Sequence, residues 1–261
     1  MTLFLHEIKR SRLSLIIWTA ALSFMLLICV VIYPEMKAQM SELGDMFADM
    51  GTFSDAFGME MLTSGDFLGY FALECGEVLG MGGAVFAAIV GIGALSKEQR
   101  DRTAELLLTQ PITRAFIVTQ KLFAALSQIF VLNLIVDLIT VIGILVIGES
   151  ADAQKLFWVL FSYFIMQIEV CLICFGISAF LNRGGIGIGI GISMCFYFLN
   201  IIANISDEVE FLKYLSPFAY TDANYILEHG ILDWKFVIIG SAFAIFGTLA
   251  AYAKYTKKDI L

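Results

Sequence analysis

The chain has 261 residues, of which 59% are hydrophobic and only 15% charged, with a formal net charge of −8. Soluble domains average about 45–50% apolar and about 25% charged, so these values and a mean hydropathy of +0.86 exclude a soluble globular domain and leave one polytopic helical membrane domain over 1–261. The five cysteines lie mostly inside apolar runs, which argues against a disulfide framework. Cys171 and Cys174 form a C-x-x-C pair whose position within a span fits packing better than redox or metal chemistry.

Residues 1–12 alternate apolar side chains with His6, Glu7, Lys9, Arg10 and Arg12. They read as a short interfacial elbow helix or as a plain charged anchor. A first span is expected over 13–33, ended by Pro34. The following segment is rich in acids (Glu35, Glu42, Asp45, Asp49, Asp55, Glu60, Asp66). In it, Met36, Met40, Leu43, Phe47 and Met50 recur at helical spacing. That face suits a substrate-side lip, a helix resting on the outer leaflet or, less readily without histidines, a methionine copper site.

Span two is expected over 67–95. Its glycines favour close helix approach, and Glu74 and Glu77 lie one turn apart near its outer end. A polar loop over 96–115 follows, then spans at 116–147, 155–181 and 186–205. The GIGIGIGIS run that opens span five marks close packing or a pliable helix. It is no phosphate loop, since no Lys-Ser/Thr follows. Residues 206–233 are broken at Ser216-Pro217 into pieces too short to cross. They are read as an outer re-entrant or interfacial segment. The last span is expected over 234–252.

Six spans set the two termini, the 96–115 loop and the 182–185 turn on one side. Of the 16 Lys and Arg residues, only Lys37, Lys155, Lys213 and Lys235 fall on the other. The positive-inside rule therefore predicts cytoplasmic termini.

Within the 96–115 loop, Ser96 and Gln99 match a capping box that predicts a new helix from Lys97 to about Thr109. Pro111 stops it, and Thr113 is placed to cap span three. Leu106, Leu107 and Leu108 form an apolar patch among Lys97, Glu98, Arg100, Asp101, Arg102 and Glu105. Such a mixed surface suits docking into a protein cleft. Among the polar residues inside spans, Asn133 and Asp137 in span three and Gln167 and Glu169 in span four stand out. Ionisable groups there cost on the order of 2.5–3.5 kcal/mol on insertion scales and usually face a protein interior or a wet cavity. They read as cargo contacts, as a proton relay, or as glue between helices.

The loop KEQRDRTAELLLTQPITRAFIVTQK resembles the cytoplasmic loop of the transmembrane subunits of small ABC exporters, the ABC-2 type permeases. Thr103, Glu105, Leu106, Leu107, Leu108, Pro111, Thr113, Arg114 and Lys121 carry the match. Arg102-Thr103 stands where that loop usually has Gly-Thr. The resemblance extends to an N-terminal elbow, six spans and a Ser-Pro-Phe segment (Ser216, Pro217, Phe218) before the last span. It implies an all-α fold with a coupling helix between spans two and three, formed by Lys97, Glu98, Arg100, Arg102, Thr103, Glu105, Leu106, Leu107, Leu108, Pro111 and Arg114. It also implies a homodimer in a bacterial cell membrane, served by two separate ATPase subunits. ATP and Mg are then held by that partner, because no G-x-x-x-x-G-K-[ST] occurs in this chain.

No metal ligand set, cofactor or nucleic-acid partner is expected, and no protease motif occurs. An acidic exterior, 23 phenylalanines and wide apolar spans fit a hydrophobic or amphipathic cargo, with a toxin-like or antimicrobial peptide ahead of a drug or lipid. The rival readings are an ion-driven transporter using Asp137 and Glu169, and a membrane scaffold that moves nothing.

Overall fold

The fold is taken from a computed structural model that describes residues 2–48, 66–100, 112–181, 184–205 and 207–257. Six helices are long and apolar enough to cross a membrane, and no strand occurs among the described residues. Span one is Thr2–Ala48, span three Arg114–Ile147, span four Ala153–Ser178, span five Ile186–Ile205 and span six Trp234–Lys257. Span two is composite: α-helix over Phe67–Cys75, π-helix over Gly76–Gly83, and α-helix over Ala84–Arg100.

Two local expectations change, the stop at Pro34 and the helix start at Ser96. No break separates residues 2–12 from span one, and Pro34 lies inside that helix instead of ending it. Its ring removes one backbone donor, yet the helix continues to Ala48. Ser96 starts no helix. Span two runs straight through it to Arg100, and its hydroxyl donates to the Ile92 carbonyl at 2.6 Å, the i−4 bond of a serine within a helix. Residues 207–229 form three short pieces, two 3₁₀ turns at Asp207–Leu215 and Ala219–Thr221 and the helix Ala223–His229.

Other signals act as their chemistry suggests. Thr113 accepts from the Phe116 amide at 3.3 Å and caps span three. Asp152 accepts from Gln154 and Lys155 and caps span four. Gly148 ends span three at φ 73°, a left-handed conformation that favours glycine. At the same end, Lys37 of span one pairs with Glu149 at 2.8 Å.

Spans two and four form the centre. The apolar window of span two is 67% buried, against 17% for span five and 22% for span six. Span four packs between spans two and six, span one lies along span three, and span five lies along span two. Glycine makes two of these contacts close. A Cβ on Gly176 would stand 2.6–2.7 Å from the backbone of Gly247 in span six. A Cβ on Gly91 would strike the Cys171 carbonyl and lie 3.0 Å from the Cys174 Cβ. Cys171 and Cys174 are buried free thiols in that contact. In span five only one face of the glycine run packs. Gly189 meets Ile92 and Ala88 of span two, while Gly187 and Gly191 face open space.

Candidate functional site

Two polar regions are built into the apolar bundle. The first lies where the described chain enters and leaves the 101–111 loop. Glu7 of span one, 4% exposed, takes a close ion pair from Lys97 at the end of span two and a second from Lys121 of span three at 3.0 Å. Lys121 is 2% exposed and also donates to the Ala94 carbonyl at 3.0 Å. One carboxylate therefore joins three helices by charge-assisted hydrogen bonds.

On the loop's other flank, Arg114 donates to the Thr256 carbonyl at 3.3 Å, where a cation also suits the C-terminal end of the span-six helix. Lys97 and Arg114 are among the residues that the family resemblance implies for coupling, and Glu7 is not. Its signal in the sequence is a lone acid among Lys9, Arg10 and Arg12. Glu98 and Arg100 are helical, but their side chains lie outside the described residues, as do Arg102, Thr103, Glu105, Leu106, Leu107, Leu108 and Pro111 entirely. Residues 38–48 are helical as well, but the side chains of the methionine-bearing face beyond Lys37 lie outside the described residues.

The second region is within the spans. Asn133 donates through Nδ2 to Gln167 Oε1 at 2.7 Å, and Gln167 donates through Nε2 to the Leu79 carbonyl at 3.2 Å. The chain joins span three to span four and span four to the π-helical stretch of span two. It also requires a glycine at Gly83, because a Cβ there would collide with the Gln167 amide. π-Helical turns are frequent at functional sites. Asp137 lies one turn beyond Asn133 and lines a cavity of about 480 Å³ between spans three and four.

Glu169 belongs to a separate group. Tyr220 donates to its Oε2 at 2.8 Å and Ser241 to its Oε1 at 2.9 Å. Gly240 leaves room for the carboxyl group, which a Cβ would overlap. Burial pushes the Tyr220 phenol far above its ordinary pKa, with the neighbouring Glu169 carboxyl adding to the effect, so Tyr220 acts as a donor. The structure therefore brings Asn133 and Gln167 into contact, sets Asp137 beside them, and sends Glu169 to the outer segment and span six. Tyr220→Phe leaves one buried carboxyl oxygen without its donor, at a cost of about 1–3 kcal/mol. Faster amide hydrogen exchange over residues 219–229 in that variant is the expected result.

Glu74 and Glu77 also diverge. Glu74 accepts from the Cys29 thiol of span one at 3.3 Å, and Glu77 from the Tyr197 hydroxyl of span five at 3.0 Å. Near Glu77 a polar hollow of about 100 Å³ is lined by Tyr163, Asn200, Asn204 and Asp222 among others.

Six helices long and apolar enough to cross a membrane, among the described residues, define a polytopic membrane protein. The family model described as ABC-2 family transporter protein matches residues 1–260, and the chain belongs to that family. Members are the transmembrane components of ABC transporters and lack the ATPase site, so membership implies association with an ABC ATPase and a membrane. No curated protein matches the chain.

Proposed function

We propose that this chain forms the transmembrane pathway of an ABC exporter as a homodimer, with two separate ATPase subunits docked beneath the 96–115 loop. Those subunits hold the ATP and Mg, the termini are cytoplasmic, and the membrane is a bacterial cell membrane. The cargo is hydrophobic or amphipathic, a peptide in the first instance.

The observation that carries this reading is the anchoring of the loop's two flanks. Lys97 is tied to span one through Glu7, and Arg114 to the end of span six through Thr256. A push on the loop therefore reaches spans one, two, three and six through charged or hydrogen-bonded contacts rather than through lipid. Among the described residues Glu169 shares no hydrogen-bond partner with Asn133 and does not line the Asp137 cavity, which separates the two carboxyl groups that the ion-driven alternative would use.

The test is co-purification of the chain with the ATPase encoded beside it, followed by ATP hydrolysis with candidate peptides. Cargo is expected to stimulate hydrolysis, and Glu105→Ala or Arg114→Ala to abolish the stimulation. Failure of any ABC ATPase to co-purify would overturn the reading.

A further inference from the structure

We propose that the cavity between spans three and four binds the ammonium group of an amphipathic amine, held by Asp137 and Asn133 beneath a shell of phenylalanines. At about 480 Å³ it falls within the range of ligand pockets, roughly 300–1,000 Å³. Its wall is almost wholly apolar, and Asp137 is its one ionisable lining residue.

Two acceptor atoms set its chemistry. Asp137 Oδ1 and Asn133 Oδ1 are both buried and have no hydrogen-bond partner among the described residues. The Asn133 orientation follows from its neighbours. The Leu79 carbonyl can only accept, so Gln167 turns its Nε2 there and its Oε1 to Asn133, which must answer with Nδ2. The Ile129 carbonyl takes Nδ2 as well, at 2.9 Å. Asn133 Oδ1 is therefore left over by the network itself.

Asn133 and Asp137 are four residues apart on one helix, which sets their Cβ atoms about 6 Å apart on one face. A single ammonium carries three N–H donors and can satisfy both acceptors at once. No lining residue is basic, so the charge that would balance Asp137 is not supplied by the cavity wall.

The rings make the same demand. Phe157 and Phe161 stack at 5.3 Å, Phe161 and Phe164 lie 6.2 Å apart, and Phe130 meets Phe164 edge-on at 6.2 Å. Ring faces attract cations and also bury an alkyl or aromatic tail. Phe130 and Phe157 are each 54% exposed on the outside of the bundle, so the cavity is open to a molecule arriving from the bilayer. The inference rests on the exporter reading only in taking the amine to be cargo. Binding itself does not depend on it.

The test uses the full chain in phosphatidylcholine nanodiscs, with empty nanodiscs as background. Radiolabelled dodecylammonium and the neutral dodecanol are compared. Wild type is expected to bind the ammonium about tenfold more tightly than the alcohol. Asp137→Asn keeps the shape, and it is expected to remove that preference while leaving dodecanol binding unchanged. Equal binding of the two probes by wild type overturns the proposal without any variant, and so does a loss of both probes alike in Asp137→Asn. A tight ammonium site that leaves ATP hydrolysis by the co-purified complex unchanged upholds the site and counts against its role in export.

Discussion

Replacing Glu7 by alanine is expected to be among the most damaging single changes in the chain. Glu7 and Lys121 are 4% and 2% exposed, and removing one partner of a buried ion pair costs about 3–5 kcal/mol, because the other charge stays desolvated. Here one carboxylate answers two ammonium groups, Lys97 and Lys121. The loss loosens the junction of spans one, two and three. Thermal unfolding in detergent reads the effect, and the double variant Glu7→Leu/Lys121→Met is expected to recover much of it. The exposed pair Lys37–Glu149 is the control, since pairs of that kind contribute about 0–1 kcal/mol. A Glu7→Ala shift no larger than that of Lys37→Ala would show the junction to be unimportant.

The second large effect concerns Gly176. Alanine there gains up to about 1 kcal/mol of helix propensity. Its methyl, however, meets the Gly247 backbone at 2.6–2.7 Å, and no rotamer change relieves a clash with backbone. Overpacking costs on the order of 1–3 kcal/mol for added methylenes, so Gly176→Ala is expected to lower the unfolding midpoint and Gly176→Leu to lower it further by parting spans four and six. Gly93 has nothing within 4 Å of its Cβ position, and Gly93→Ala is expected to be neutral or mildly stabilising. A midpoint unmoved by Gly176→Ala would mean that the two helices do not touch there.

The six spans could be read from the sequence because each is an apolar run longer than a bilayer core requires. The cap at Thr113 is equally local. Most of what escaped the reading depends on partners far along the chain, but one miss is local. Ser96-x-x-Gln99 matches a capping box, but the apolar run before it was already helical, and the Ile92 carbonyl gave the hydroxyl a use inside the helix. The π-helix over Gly76–Gly83 has no periodicity of its own, and its glycines spoke only of close packing. Asn133, Asp137, Gln167 and Glu169 stood out because polar groups in lipid are costly. Their division into two groups rests on Leu79, Tyr220 and Ser241, which carry no signal at that distance. Glu7 was read together with its basic neighbours as an anchor, whereas its partners, Lys97 and Lys121, lie 90 and 114 residues away.

The unbroken first helix has a mechanical consequence. Its 47 residues at about 1.5 Å each make a rod about 70 Å long, against a hydrocarbon thickness of about 30 Å. Fixed near one end by Glu7, such a rod magnifies rotation. A tilt of about 10° about Glu7 sweeps the Ala48 end, about 60 Å away, through about 11 Å, while Glu7 itself stays in place. Pro34, where one backbone hydrogen bond is missing, is the place at which that rod can bend, so the sweep beyond it is set by a single residue.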